Sequence, residues 1–379
     1  MGHWRSQVSV LVLVGTAVLV ACGGGESGEE SSDGSSAVAV SESSVVDLTT
    51  TTEVGFDPST LEGPIALESS ACDGGFNDAA LAGVDSVEEA IAALEQSGFD
   101  TTAVICVMDP DGGNLRQVSA LGHEARYPGF TYDGDSLFWF DVTDESWIVA
   151  RADGTDPQPW KSTTDFPWRR SPDGASYTNT SWGESGFFVT KTGEQATGPS
   201  RRHLVATADA CCGTYRWSLD SRSILFYSTA GAVDCPRLMK VDVESGEQSA
   251  LTGRGSPSED VPVCAEFSSA RWSPDGSTIL FHDYDGVRTG TTPYLIDANG
   301  RNLRPLLPDG SVSDPEWMAL GSAWSRDGRA VLLGIVETMS QGTYLVPLDG
   351  TSPVRIGDPE AIALAMATQF AWAPTSPSF

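Results

Sequence analysis

Apolar and polar positions along this chain alternate in short runs, and the runs recur. "GFTYDGDSLFWF" from Gly129, "WRRSPDGASYTNTS" from Trp168, "RWSLDSRSILFYS" from Arg216, "RWSPDGSTILFHD" from Arg271 and "AWSRDGRAVLLGI" from Ala323 follow one plan. The chain closes on "FAWAPTSPSF" from Phe370. In each run an aromatic ends a short strand. Proline then presets φ, and Asp-Gly tolerates the positive φ that reverses the chain. The β-branched apolar run that follows pairs back. A second apolar strand ending at a turn completes each interval: "WIVARADG", "FFVTKTGE", "LMKVDVESG", "YLIDANG" and "YLVPLDG". The unit is four antiparallel strands in about 50 residues, the pattern of a propeller blade.

Six aromatics mark six units: Phe130, Trp168, Trp217, Trp272, Trp324 and Trp372. The fold class predicted is all-β, a six-bladed propeller over residues 64–379, with each aromatic wedged between neighbouring blades. "VICVMDPDGGNLRQV" from Val104 has outer strands and no inner one, whereas "FAWAP" is an inner strand with no successors. Together with "IALES" from Ile65 they make one blade from the two ends of the chain, which removes an exposed sheet edge.

The W-S-P-D-G-x-x-I-x-F units, the D-x-x-G strand ends and the terminal F-A-W-x-P resemble the TolB-type, WD40-like (PD40) six-bladed propeller family over about residues 63–379. The resemblance implies the propeller fold. TolB proteins of that family carry an additional α/β domain before the blades, where this sequence has a polar segment.

Composition changes the picture at the N-terminus. Met1 to Ala21 has a charged head with Arg5 and an apolar run from Val8 to Val20. That run is too short for a membrane-spanning helix and reads as a signal peptide over residues 1–21. "LVAC", Leu19 to Cys22, resembles a bacterial lipobox, so Cys22 is the expected lipid-attachment residue. Acyl chains there would hold the protein at a membrane surface. Residues 22–63 read as a lipidated flexible tether, rich in Ser, Gly, Thr and Glu without Lys or Arg.

The net charge is −30, from 52 acids and 22 bases. Without Arg5 and the nine tether acids, the body still carries about −22. Nucleic acid is excluded as a partner, because phosphate recognition needs basic surface. Anionic lipid is excluded as a direct ligand on the same ground, leaving membrane contact to the anchor.

Beyond Cys22, six cysteines remain: Cys72, Cys106, Cys211, Cys212, Cys235 and Cys264. An even number in an exported chain predicts disulfides. Cys72 and Cys106 are expected to staple an insertion over about residues 71–100. There, "DSVEEAIAALEQSGF" has the cap, acidic first turn and apolar stripe of a helix. Cys211 and Cys212 are expected to link to Cys235 and Cys264, with the pairing open. A vicinal Cys211–Cys212 bridge is the minor alternative.

Catalytic chemistry finds little support. Asp173, Asp275 and Asp327 recur at equivalent turns, as architecture does and a unique catalytic group does not. "HDYDG" and "DPDGGN" lack the remaining ligands of a calcium loop. His123, His203 and His282 fall in different blades, with His282 expected in a partly exposed loop. No G-x-S-x-G elbow or phosphate loop is present. No catalytic residue, metal or cofactor is therefore assigned. Short turns fall on one propeller face, and the long, cysteine-bearing connections fall on the other, where binding usually resides. The expected function is a noncatalytic module that binds a protein or glycan of the cell envelope, outside the cytoplasm. The alternatives are an envelope polysaccharide lyase or hydrolase, or an accessory or sensor subunit of a transport or secretion system.

Overall fold

The computed structural model describes residues 56–69, 72, 102–161, 166, 169–179, 186–191, 203–207, 210–229, 235–253, 255–258, 263–265, 270–283, 292–307, 318–336, 341–356 and 369–374. The signal, Cys22, most of the tether, the expected helix and Trp168 lie outside them. No helix among the described residues is long and apolar enough to cross a membrane.

Among the described residues, twenty-three short strands form six antiparallel sheets. Blade 1 holds β1 (Ile65–Ser69), β2 (Val104–Met108) and β3 (Arg116–Gln117). Blade 2 holds β4 (Ala125–Phe130), β5 (Ser136–Asp141), β6 (Ser146–Arg151) and β7 (Gln158–Pro159). Blade 3 holds β8 (Ser176–Asn179), β9 (Gly186–Lys191) and β10 (His203–Thr207). Blade 4 holds β11 (Ala210–Trp217), β12 (Ser223–Ser228), β13 (Arg237–Asp242) and β14 (Gln248–Ala250). Blade 5 holds β15 (Arg271–Trp272), β16 (Thr278–His282), β17 (Pro293–Asp297) and β18 (Arg304–Pro305). Blade 6 holds β19 (Met318–Trp324), β20 (Ala330–Val336), β21 (Gln341–Pro347) and β22 (Val354–Ile356). The last strand, β23 (Gln369–Trp372), pairs with β1 and completes blade 1 in the order β23-β1-β2-β3. Ile65 stands opposite Trp372, and Leu67 opposite Phe370.

Five sheets have four strands and the blade 3 sheet has three. Its inner strand is reduced to an isolated bridge, Arg170 to Tyr177. This bridge also corrects the anchor alignment. Trp217 faces Ile224 and Trp272 faces Ile279, seven residues on in each case. Arg170 and Tyr177 have that same spacing, so Arg170, not Trp168, holds the anchor register in blade 3. The reason is the turn: the serine that follows the anchor fixes the register, and in blade 3 that serine is Ser171.

The turn chemistry repeats. Ser273 Oγ donates to Asp275 Oδ1 (2.6 Å) and accepts from Thr278 N (2.9 Å). Asp275 Oδ1 accepts from Ser277 N (3.0 Å). Ser171 with Asp173, Ser218 with Asp220, Ser325 with Asp327 and Thr131 with Asp133 do the same. These aspartates are turn residues, as their recurrence predicts.

The tryptophans join blades by a main-chain clasp. Trp217 Nε1 donates to the carbonyl of Arg169 (3.1 Å), Trp272 Nε1 to that of Arg216 (3.1 Å), and Trp324 Nε1 to that of Arg271 (3.3 Å). Each acceptor immediately precedes the anchor position of the previous blade. In blade 1, Trp372 Nε1 donates instead to Glu62 (2.9 Å). Packing follows the same wedge logic, because Phe187, Tyr215, Trp217 and Phe226 form one core spanning blades 3 and 4. Ring closure also leaves no room at Gly134, which has φ 73° and whose added Cβ would collide with the Pro374 carbonyl.

The tether ends earlier than residue 63. Pro58–Thr60 form a 3₁₀ turn capped by the Asp57 side chain. Leu61 is buried in the blade 1 core, with Phe56 packed against it. These two apolar residues give an otherwise polar segment something to bury.

Candidate functional site

Inner strands surround the axis, with β23 touching β19 on one side and β4 on the other. Antiparallel order sends every second-to-third and fourth-to-first connection from the same side of the ring. Both described disulfides brace that side. Cys72 bonds to Cys106 of β2, with Cα atoms 5.7 Å apart. Cys235 bonds to Cys264, with Cα atoms 4.8 Å apart. The first bridge is the expected one. The second overturns the expected links from Cys211 and Cys212 to these two cysteines. Cys235 precedes β13 and Cys264 precedes β15, and the Ala265 N–H donates to the Pro236 carbonyl (2.9 Å), bringing the segments side by side. Cys211 and Cys212 lie on β11, and their side chains are outside the described residues.

At the mouth of this side, β4 departs from regular pairing between Arg126 and Gly129. The irregularity places Tyr127 at φ 60°, costly for a bulky residue, with the residue 39% exposed. Buried Glu68 of β1 holds it: Glu68 Oε2 accepts from Tyr127 N (2.9 Å), and Oε1 from Arg126 Nη1 (3.3 Å). Arg126 Nε also donates to Glu124 Oε1 (2.7 Å). Burial and the Glu68 charge push the Tyr127 phenol up. The inner strands of blades 4 and 6 are irregular too, between Cys211 and Arg216 and between Ala319 and Gly321. Such bulges re-aim side chains next to functional sites.

Deeper in, Tyr132 extends from the β4–β5 turn of blade 2. It packs on the core shared by blades 3 and 4, and it bonds to the backbone of Trp217. It feels the charges of Arg216 in blade 4 and Arg271 in blade 5. Burial pushes Arg216 down from its ordinary value, opposed only by Tyr132 and Tyr227. Arg169 in blade 3 is pushed down by burial in the same way, opposed by Tyr215, and lies 5.4 Å over the Phe166 ring. Burial raises Tyr215 to about 12. Tyr227 Oη accepts from Ala270 N (2.8 Å).

His282 is buried on β16, correcting its expected place in a partly exposed loop. The loop reading failed because His282 is the last residue of its strand and its ring turns inward, where Nε2 shares a 2.9 Å hydrogen bond with Ser322 Oγ. Burial first and Arg271 second push it down to about 3, so it stays neutral at physiological pH. His203 lies on β10 and its side chain is outside the described residues.

His123 sits near Asp141 and Asp144, the one three-residue group among the described residues with metal-ligand geometry. His123 Nδ1 is 2.9 Å from Asp141 Oδ2 and 3.8 Å from Asp144 Oδ2. Asp141 Oδ1 already accepts from Asp144 N (2.9 Å), so this group also ties the β5–β6 turn to the segment before β4. The two acidic runs considered for calcium are likewise engaged. Asp109 bonds to Asn114 (2.5 Å), Asp111 to Gly113 N (2.8 Å), and Asp283 Oδ1 accepts from Cys264 N (3.0 Å).

These arginines were not singled out from the sequence. Their signal is there in "RRS", "RWS" and "RWS": arginine before the anchor register in three successive units of a strongly acidic chain.

No protein-family model and no curated protein matches the sequence. Among solved structures, the crystal structure of TolB from Acinetobacter baumannii is similar, at 17% identity and TM-score 0.53, covering 82% of this chain and 67% of that one. A TolB structure from Agrobacterium tumefaciens aligns at 16% identity and TM-score 0.46, over 65% of this chain and 84% of that one. The likeness is one of fold: the chain has a β-propeller fold similar to that of the Acinetobacter TolB structure.

Proposed function

We propose that this propeller is a noncatalytic binding module of the bacterial cell envelope, exported and anchored through Cys22. It acts at the outer face of the cytoplasmic membrane or in the periplasm, and it engages an envelope protein or glycan. The observation that carries this reading is the placement of the Cys72–Cys106 and Cys235–Cys264 bridges. Both sit on the side from which the long connections leave, where a rigid ring presents braced loops.

Photo-cross-linking in intact cells tests it, with alanine blocks across residues 254–259 and 288–292, connections only partly within the described residues. Loss of a discrete cross-linked partner in either block is expected. An unchanged cross-linking pattern in both overturns the loop-bearing side as the binding surface. Labelling with a fatty-acid analogue tests the anchor, and Cys22→Ser is expected to abolish incorporation.

A further inference from the structure

His123, Asp141 and Asp144 converge on the loop-bearing side of blade 2, with their ligand atoms all within 4.8 Å of one another. Asp141 is the last residue of β5, Asp144 lies in the β5–β6 turn, and His123 stands in the connection from β3 to β4. Backbone hydrogen bonds fix the three positions. Val142 N donates to the Glu124 carbonyl (2.8 Å), and Glu124 N donates to Thr143 Oγ1 (2.9 Å). Ala125 stands opposite Asp141 in the β4–β5 pairing. His123 N closes a turn onto the Ala120 carbonyl (3.2 Å). Asp144 N donates to Asp141 Oδ1, which leaves Asp141 Oδ2 to face the imidazole. Both segments are thus clamped around the cluster, and a ligand there has little left to order.

Charge points the same way. The Asp141 side chain is only 4% exposed, and among the described residues no Lys or Arg pairs with Asp141 or Asp144. Two carboxylates against one imidazole leave an excess of negative charge partly out of water, which a small cation offsets. Distances agree with a shared ion. A tetrahedral ion with bonds of about 2.0–2.1 Å sets its ligand atoms about 3.3 Å apart. His123 Nδ1 lies 2.9 Å from Asp141 Oδ2 and 3.8 Å from Asp144 Oδ2, on either side of that value. The Asp144 side chain is 64% exposed, so a rotation about its side-chain bonds closes the longer separation.

We propose that His123, Asp141 and Asp144 bind a divalent first-row transition-metal ion such as Zn²⁺. Imidazole with carboxylates suits such ions, whereas Ca²⁺ calls for six to eight oxygens. Three protein ligands leave a coordination position facing solvent, open to water or to a donor atom of a bound molecule. The rival account is a plain histidine–aspartate ion pair, for which Asp144 is dispensable. The proposal goes beyond the binding-module reading and does not depend on it.

Calorimetric titration of the full-length, detergent-solubilised lipoprotein, made without a histidine tag, tests it with ZnCl₂ and with CaCl₂. Saturable binding of one Zn²⁺ per chain is expected, with Ca²⁺ weaker by roughly tenfold or more. Asp144→Asn leaves the backbone clamp and the His123–Asp141 contact in place. It is expected to weaken Zn²⁺ by roughly tenfold or more while the metal-free Tm stays unchanged. His123→Ala is expected to lose the site as well, and the rise in Tm that Zn²⁺ gives the parent protein is expected to vanish in both variants. Absence of saturable Zn²⁺ binding, equal affinity for Ca²⁺, or unchanged Zn²⁺ affinity in Asp144→Asn each overturns the proposal. Zn²⁺ held elsewhere, at cysteines for example, would survive Asp144→Asn and so falls under the last outcome.

Discussion

Trp372 Nε1 donates to the main-chain carbonyl of Glu62 across 2.9 Å and 310 positions of sequence. The two ends of the described propeller are thereby joined in one blade. Trp372→Phe removes the hydrogen bond and part of the buried ring, and is expected to cost about 1–3 kcal/mol. Trp372→Ala also opens a cavity beside Leu67 and Phe370 and is expected to cost about 3–5 kcal/mol. Chemical denaturation reads both. A chain stopped before Gln369 exposes the edge of β1 and is expected to form oligomers on size-exclusion chromatography.

Glu68 is buried between Arg126 and the strained Tyr127 backbone. Glu68→Ala leaves the Tyr127 N–H without its acceptor and Arg126 with Glu124 alone, and is expected to cost about 3 kcal/mol. Glu68→Gln retains an acceptor and costs less. A similar loss in both variants, measured by denaturation, would show that the charge alone matters there.

The Cys235–Cys264 bridge closes a loop of 29 residues. Chain-entropy reasoning gives it about 3–4 kcal/mol. The double Cys235→Ser, Cys264→Ser variant should lose that amount. Non-reducing peptide mapping should recover these two cysteines on one linked pair, separate from Cys211 and Cys212. A crossed peptide would contradict the arrangement described here.

His282 has its folded pKa pushed down to about 3, below its ordinary 6.5. The unfolded chain therefore takes up a proton that the folded one refuses. Stability falls as pH drops below about 6.5, by about 1.4 kcal/mol per pH unit, until the folded pKa is reached. His282→Gln keeps a hydrogen-bonding group near Ser322 without the titration, and it is expected to flatten this part of the stability–pH curve. Asp275 acts lower on the scale. Its pKa is held down by the Ser273 hydroxyl and the Ser277 N–H, so its contribution disappears only as acid protonates the folded carboxylate.

The ring and its closure were legible because one physical unit, aromatic plus Ser-x-Asp turn, repeats with its own register. The slip from Arg170 to Trp168 shows where that legibility ends. Indole is the conspicuous signal, yet Ser171 sets the register, and an arginine can occupy the anchor position in it. Cysteine pairing was not legible beyond Cys72–Cys106, since four cysteines permit three connectivities and only the approach of Pro236 to Ala265 selects among them. The arginine run escaped notice for a related reason. Sequence shows a repeated residue, but not that a blade 2 side chain, Tyr132, reaches across to the backbone of Trp217 in blade 4.

Because each indole is received by peptide oxygen and not by a side chain, the clasp does not depend on which side chain the receiving position carries. Arg169, Arg216, Arg271 and Glu62 all serve equally as acceptors. Substitution at those four places can change the side chains there while every seam between neighbours stays sewn. A scaffold of this kind separates what its side chains present from what keeps it whole, and those positions can vary one residue at a time.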